Sequence, residues 1–403
     1  MCRLGNTPVL SILSRCIMDS RYPIRSVFAD SLGWYMQDHL LSDEQIAAAN
    51  AIRCCKTGEL GYNASVCDDC GHVELHSCSC RNRSCPNCQS VLKEVWIDKR
   101  RSEVLDARYF HVVFTVPHQL NALFLANQRL LYDLLFSAAS QTLLTLSQDR
   151  RYLGAEPGII MVLHTWGQTL AYHPHVHCII SGAGLTRDHK LVKSVRSFFI
   201  PIKAAMKMFR GKFMAALKSY RFSEKLFLPD PCADLAVPEA WQSFVDILYS
   251  TDWCPYIKET FNGFGNAIDY LGRYTHRVAI SNGRITDLTD DTVSFWYKDY
   301  RDGNKRKEMT LSKEEFIRRF LLHVLPRKFQ KIRYYGFLSN GAKAKKLRLL
   351  FDLQGHQQFA SRFSADSPKD VILSEVLGID VHVCPCCGKS TMRYLGRRYF
   401  LRP

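Results

Sequence analysis

Two histidines that alternate along one short segment offer the most specific chemistry in this chain. His175 and His177 flank Val176 within an apolar run that extends to Gly182. In a β-strand, successive side chains point to opposite faces, so these two imidazoles would lie side by side on one face. Because histidine is the commonest metal ligand, the pair predicts a divalent metal site, unless both are ordinary strand residues.

A third ligand is expected from the segment before the pair, which is an apolar, β-branched run of strand length. In a hairpin that turns around residues 170–173, Gln168 would lie opposite His175, and it is the predicted third ligand. A slip of one residue in the pairing would move Gln168 to the wrong face. His173 and His164 therefore compete with Gln168 for this role.

Two tyrosines lie at helical spacing further along the chain. Tyr270 and Tyr274 are four residues apart, so in a helix they occupy the same face. Arg273 and Arg277 offer positive charge beside them. Taken alone, two tyrosines at this spacing more often pack in a core than act as nucleophiles. Their significance depends on the histidine pair.

Clustered cysteines predict a structural zinc site. Of the 16 cysteines, eight lie between residues 54 and 88 and three between residues 384 and 387. In a chain that is not secreted, such clustering indicates metal binding rather than disulfides. Two Cys-X-X-Cys pairs can supply four thiolates to one tetrahedral Zn²⁺. The predicted zinc ligands are Cys67, Cys70, Cys85 and Cys88, with Cys80 and Cys78 as alternates and His72 and His76 also left over.

A third cysteine pair stands near the end of the chain. Cys384 and Cys387 offer only two thiolates, and two ligands do not fill a tetrahedral site. Either His382 or a thiol left over from the amino-terminal cluster completes this site, or the pair binds no metal. The sequence leaves these alternatives open.

These motifs, in this order, resemble the two-tyrosine HUH rolling-circle transposases, the type founded on insertion sequence ninety-one. The resemblance rests on His-hydrophobic-His, on Tyr-X-X-X-Tyr and on two further stretches. The first is Ser-Cys-Arg-Asn-Arg-Ser-Cys-Pro-Asn-Cys-Gln at residues 79–89, which is similar to the zinc module of that family. The second is Ile-Arg-Tyr-Tyr-Gly-Phe-Leu at residues 332–338. The resemblance covers residues 67–338, most of the chain.

The resemblance implies a transposase that nicks and rejoins single-stranded DNA at the ends of a mobile element. A tyrosine would form a covalent 5′-phosphotyrosine and release a 3′-hydroxyl. Two tyrosines would let one hold an intermediate while the other cleaves again, as rolling-circle transposition requires. The implied catalytic residues are Tyr270, Tyr274, Arg273 and Arg277, with Mg²⁺ or Mn²⁺ held by His175, His177 and Gln168.

The elements around these motifs predict an α+β fold. A strand at residues 108–117, a helical stretch at 120–148 and a hairpin at 159–181 predict helices on a mainly antiparallel sheet. The HUH nucleases share such a palm. The expected domains are an amino-terminal helical segment (1–63), a zinc-binding module (64–104), an HUH catalytic domain (105–300) and a basic carboxy-terminal region with a Cys-rich end (301–403).

An excess of positive charge favours an anionic partner such as DNA. The 403-residue chain has 54 Lys and Arg against 38 Asp and Glu, a net charge of +16. Residues 301–350 alone hold 15 Lys or Arg and 4 Asp or Glu, which indicates a track for a polyanion. The predicted DNA-binding residues are Arg81, Arg83, Lys343, Lys345 and Lys346.

The sequence predicts no membrane association. No segment approaches the roughly 18 uncharged apolar residues of a membrane span. We expect a cytoplasmic, nucleoid-associated protein, and the sequence identifies no protein partner. Two alternatives to the transposase remain: a plasmid replication initiator or relaxase with the same centre, and a non-catalytic zinc-containing DNA-binding protein in which the tyrosines only pack.

Overall fold

The structure, a computed structural model, divides into two compact units that each draw on distant parts of the chain. The first contains Met1–Val95, Arg277–Val324 and Phe363–Pro403, and the second contains Trp96–His276 and Leu325–Arg362. The residues that the structure describes are 22–88, 90–194, 200–253, 256–261, 272, 277–355, 361–363, 367, 371–372, 374–375, 378 and 380–399. Helices and antiparallel sheets occur together, so the predicted α+β class is confirmed.

The described strands and helices are numbered here in chain order. The strands are β1 (Tyr62–Cys67), β2 (Val73–Ser77), β3 (Tyr109–Thr115), β4 (Glu156–Trp166), β5 (Tyr172–Leu185), β6 (Leu191–Lys193), β7 (Tyr256–Phe261), β8 (Ile285–Leu288), β9 (Thr292–Asp299), β10 (Lys305–Ser312), β11 (Ile332–Gly336) and β12 (Met392–Arg398). The helices are α1 (Ile24–Asp38), α2 (Asp43–Arg53), α3 (Ser90–Arg101), α4 (Asn121–Ala126), α5 (Gln128–Gln148), α6 (Ile202–Phe222), α7 (Pro238–Ser250), α8 (Lys313–Leu321) and α9 (Lys343–Gln354).

The central sheet of the second unit is antiparallel and positions the histidines. Its strand order is β11-β4-β5-β3-β7, and the short β6 pairs with the distal part of β5. β4 and β5 form a long hairpin in the middle of this sheet, and β5 also pairs with β3. These strands are rich in β-branched residues, which pack well on a pleated surface. A histidine on β5 is therefore flanked by strands on both sides.

Helices α5 and α6 cover one face of this sheet. Phe114 of β3 lies with its ring centroid 4.7 Å from that of Phe209 in α6, and both side chains are buried. The helical stretch predicted from the sequence is divided at Asn127, which separates α4 from α5 and whose amide donates to the Leu123 carbonyl. This face is a continuous apolar core.

The opposite face of the sheet combines an apolar cluster with the histidines. Ile160, Val162 and Ile179 pack in one buried cluster with residues of α9, among them Leu347 and Leu350. The same face continues along β4 and β5 toward their connecting turn, where the residues become polar. The cluster therefore anchors the strands next to the place where the imidazoles lie.

The first unit contains two small sheets. Their strand orders are β12-β1-β2 and β10-β9-β8. Phe28 of α1 packs edge to face on Phe320 of α8, with ring centroids 5.3 Å apart. None of the helices among the described residues has the length and apolar character needed to span a membrane.

Candidate functional site

Three histidines from neighbouring strands meet on one face of the central sheet. His164 of β4 pairs with His175 of β5, and His177 follows two positions later on the same face. One ring nitrogen from each lies within 4.8 Å of the others. The Nε2 atoms of His175 and His177 are 3.1 Å apart. With metal–nitrogen bonds of about 2.1 Å, adjacent ligands lie about 3.0–3.4 Å apart, so the cluster fits a shared ion.

The other ring nitrogens of the two β5 histidines are already engaged. Nδ1 of His175 lies 2.6 Å from the carbonyl oxygen of His173 and donates to it. Nδ1 of His177 lies 2.9 Å from Nε2 of His111 in β3. Burial lowers the pKa of His111 to about 4, so at neutral pH this ring is uncharged and can accept from His177. These outer partners orient the two rings with their Nε2 atoms toward each other.

His111 has a position that the sequence reasoning missed. It lies opposite Ile179 of β5, on the same face as His177, and only 4% of it is exposed. Its ring stacks on that of His177 with centroids 5.1 Å apart. The signal available in the sequence was a histidine inside a predicted strand. That signal gains meaning only when the neighbouring strand is known.

The strand register differs from the hairpin that was the basis for predicting Gln168 as the third ligand. The turn of the hairpin spans residues 167–171, so Gln168 lies in the turn instead of opposite His175. A bulge between His164 and Trp166 shifts the pairing by one residue. His164 thereby faces His175 and takes the third position in the cluster.

The predicted nucleophiles Tyr270 and Tyr274 lie outside the described residues. The predicted catalytic residue Arg273 does so too, and the proximity of all three to the histidines stays a prediction. Arg277 is described and is exposed. Burial and then the charge of Arg277 lower the pKa of Arg284 to about 10.

Four cysteines near the amino-terminal end form one candidate zinc site. Cys55, Cys80, Cys85 and Cys88 bring their sulfurs together, and three of the pairwise Sγ distances are 3.6 Å. In a tetrahedron the ligands are separated by about 1.6 times the bond length, so zinc–sulfur bonds of about 2.3 Å place sulfurs about 3.8 Å apart. The four thiols therefore fit one Zn²⁺.

This grouping differs from the predicted set of zinc ligands. Cys85 and Cys88 share a cluster with Cys80, one of the predicted alternates, and with Cys55, which is not among the predicted ligands. Cys67 and Cys70 belong to a different cluster, because the strand that ends at Cys67 pairs with β12 near the other end of the chain. Cys78 belongs to neither of the two clusters. Cys55 follows Cys54 directly, and this tandem was the available signal.

The two arginines predicted to bind DNA lie in the loop of the first cysteine cluster. Arg81 is exposed and has a left-handed backbone with φ of 55°. Arg83 is partly buried, and this burial lowers the pKa of its guanidinium. Both follow Cys80, so the cluster fixes the loop that carries them.

The three lysines of α9 predicted to bind DNA have different surroundings. Lys343 Nζ lies 2.7 Å from a carboxylate oxygen of Glu103, and Lys346 Nζ lies 2.6 Å from one of Glu156. Lys345 is exposed. Two of the three cations are thus engaged with carboxylates, and Lys345 is the best placed for a phosphate.

Comparison with known proteins gives two family matches and two relatives that are similar over most of their length. A family described as "Putative transposase" matches residues 158–346, and a "Transposase zinc-binding domain" matches residues 27–116. The chain is 41% identical over 355 residues to "Putative transposase y4qJ" of Sinorhizobium fredii, covering 87% of this chain and 89% of that protein. It is 31% identical over 327 residues to "Transposase for insertion sequence element IS801" of Pseudomonas savastanoi pv. phaseolicola, covering 79% of this chain and 76% of that protein. No solved structure matches.

Proposed function

The chain belongs to the transposases of the insertion-sequence ninety-one type, and we propose that it nicks and rejoins single-stranded DNA at the ends of a mobile element. The reaction would pass through a covalent 5′-phosphotyrosine and would mediate rolling-circle transposition. The observation that carries this proposal is the cluster of three imidazoles on the central sheet. It lies within the segment that matches the transposase family.

His164, His175 and His177 would hold a divalent cation, Mg²⁺ or Mn²⁺. A cation bound there would polarise the scissile phosphate and screen the charge of the attacking and leaving oxygens. Imidazole ligands favour Mn²⁺ over Mg²⁺ because nitrogen is the softer donor. The hydrogen bonds to both Nδ1 atoms hold the β5 rings in one orientation, with their Nε2 atoms toward each other.

Tyr270 or Tyr274 would supply the nucleophile. Its hydroxyl oxygen would form a bond to phosphorus while the bond from phosphorus to the 3′-oxygen breaks. The phenolic proton would pass to solvent, and the leaving oxygen would take up a proton to become a 3′-hydroxyl. A phenol has a reference pKa near about 10, so attack at neutral pH requires nearby positive charge. Arg273 and Arg277 would contribute to that charge.

Rejoining would reverse the same step. The phosphotyrosine keeps the bond energy of the phosphodiester, so a 3′-hydroxyl can displace the tyrosine without nucleotide hydrolysis. With two tyrosines, one can keep its covalent strand while the other cleaves the next site. The zinc-binding segment and the basic residues Arg81, Arg83 and Lys345 would hold the phosphate backbone during these exchanges.

Trapping of the covalent product on single-stranded DNA tests the proposal. Purified full-length protein is incubated with Mn²⁺ and an oligonucleotide that carries an element end, labelled at either its 5′ or its 3′ terminus. The expected adduct keeps the 3′ label, and the released fragment has a 3′-hydroxyl that a polymerase can extend. The adduct should disappear in the double variant Tyr270→Phe, Tyr274→Phe and on removal of the divalent ion. Absence of any adduct from the wild type, or an adduct of the same yield in the double variant, would refute the enzymatic proposal.

A further inference from the structure

Four cysteines from opposite ends of the sequence bring their sulfurs together in the first unit. Cys67 Sγ lies 3.7 Å from Cys387 Sγ, and Cys70 Sγ lies 3.6 Å from Cys384 Sγ. All four sulfurs lie within 4.8 Å of one another. These separations are close to the edge of about 3.8 Å expected for a ZnS₄ tetrahedron and far above the bond of about 2.0 Å in a disulfide. The spacing therefore fits four thiolates around one ion.

The two Cys-X-X-Cys turns have the same backbone geometry. The Gly71 N–H donates to the Cys67 carbonyl at 3.0 Å, and the Gly388 N–H donates to the Cys384 carbonyl at 2.9 Å. The two glycines have φ of 70° and 72°, a left-handed conformation that glycine adopts readily. In each turn the first cysteine's N–H donates, at 2.8 Å, to the carbonyl of the residue after the glycine. Two matching turns that face each other are the ligand arrangement of a zinc ribbon.

The sheet that frames these turns has only a small buried cluster at the end that carries the cysteines. Its strand order is β12-β1-β2, and Cys67 at the end of β1 pairs with Met392 at the start of β12. The buried cluster at this end consists of Cys67, Cys384 and Met392. On β2, Val73 and Leu75 are 55% and 44% exposed. Small sheets of this kind need a disulfide or a metal ion in place of a large apolar core.

The charged contacts across the two turns do not supply that constraint. Lys389 Nζ lies 3.0 Å from Asp69, and Arg393 lies 3.0 Å from Asp68. At least one side chain of each pair is well exposed, and exposed ion pairs contribute little to stability. These ion pairs therefore contribute little to the stability of the contact between the two turns.

We propose that Cys67, Cys70, Cys384 and Cys387 bind a second structural Zn²⁺, separate from the ion at the cluster of Cys55. This ion fastens β12 to β1 and so completes the amino-terminal zinc-binding segment with residues from the far end of the chain. Zn²⁺ is the metal class because four thiolates in a tetrahedron favour it over harder divalent ions. The two close pairs join cysteines that are 320 and 314 residues apart, so the site forms only after the segment that carries Cys384 and Cys387 has been made.

Metal content of the full-length protein tests this second site. Elemental analysis of the wild type should give two zinc ions per chain, and the double variant Cys384→Ser, Cys387→Ser should give one. Cys386→Ser is the matched control, because Cys386 lies in the same turn, is exposed and is not part of the cluster. It should retain two ions. One ion in the wild type, or two ions in the double variant, would overturn the proposal.

Two measurements keep the test decisive if the double variant fails to fold. In the first, the wild type is stripped of zinc and titrated with Co²⁺. The absorption of tetrahedral cobalt thiolate should rise until two equivalents of Co²⁺ per chain are bound. Saturation at one equivalent would contradict the second site. Hydrogen exchange of the zinc-loaded wild type should show protected amides in β1 and β12. Chelation should speed their exchange by at least about tenfold and leave the central sheet unchanged. Exchange in these strands that does not respond to chelation would also overturn the proposal.

Discussion

Replacement of His164 by Phe tests whether this histidine, and not Gln168, is the third ligand of the predicted metal site. The His164 ring is 3% exposed and stacks on Trp166 with centroids 4.6 Å apart. Phenylalanine preserves much of this packing but has no nitrogen to offer a metal ion. Gln168→Ala is the matched control, because Gln168 lies in the turn of the same hairpin. Only His164→Phe should weaken metal binding.

The expected magnitude follows from the number of ligands. Loss of the residue that hydrogen-bonds to a metal ligand typically lowers metal affinity about 10-fold to 100-fold. Loss of one of the three protein ligands themselves should therefore lower it by at least about 100-fold. A factor of about 100 corresponds to about 2.7 kcal/mol of binding free energy. Gln168→Ala should change the affinity by less than about twofold.

Mn²⁺ binding measured by electron paramagnetic resonance reports this change without reference to DNA cleavage. The signal of free Mn²⁺ is followed during titration of the wild type and both variants, and a thermal melt of each confirms that the fold is retained. Strong loss of Mn²⁺ affinity in Gln168→Ala, together with wild-type affinity in His164→Phe, would refute the assignment of His164 as third ligand.

Three further outcomes are expected. His111→Phe removes the acceptor for the Nδ1–H of His177, a predicted metal ligand, and should lower Mn²⁺ affinity by about 10-fold to 100-fold in the same titration. Unchanged affinity would contradict this role for His111. Lys345→Gln should weaken binding to single-stranded DNA and reduce the salt dependence of that binding. Lys343→Gln should change both quantities little, because the Lys343 ammonium group already contacts a carboxylate. Equal effects of the two substitutions in fluorescence anisotropy titrations would contradict this distinction. Gly336→Ala places a Cβ against the backbone oxygen of Pro157 in β4 at φ of 63°, so it should destabilise the second unit by at least about 2 kcal/mol and lower its thermal midpoint. Gly211→Ala in α6 is the control, because the added Cβ meets no neighbour, and it should not lower the midpoint.

The sequence predicted the side-by-side histidines because strand alternation is a local property. His175 and His177 are two residues apart in β5, so they share a face of the sheet whichever strands β5 pairs with. The identity of the third metal ligand depends on how β4 pairs with β5, and the sequence pattern within each strand does not determine that pairing. The turn begins earlier than expected, and the register shift next to His164 brings His175 opposite that residue. A bulge adds one residue to one strand, and hydrophobic alternation alone does not reveal it.

The zinc ligands show the same limit over a longer distance. Neighbouring Cys-X-X-Cys pairs suggested one shared site, whereas the structure pairs Cys70 with Cys384 and Cys85 with Cys55. Spacing identifies which cysteines can form a turn, but the sheet decides which turns face each other. Because β12 pairs with β1, the end of the chain supplies ligands that proximity in the sequence assigned elsewhere. The fold class needed only local periodicity and was predicted.

Mass spectrometry of the protein–DNA adduct tests the central claim most directly. Wild-type protein and His175→Ala are incubated with single-stranded DNA and Mn²⁺, digested with nuclease and protease, and searched for a peptide that carries a nucleotide. The account predicts a phosphodiester on Tyr270 or Tyr274 in the wild type and almost none in His175→Ala. A nucleotide on any other residue, or equal labelling of both proteins, would contradict the claim that these tyrosines and the histidine cluster act at one site.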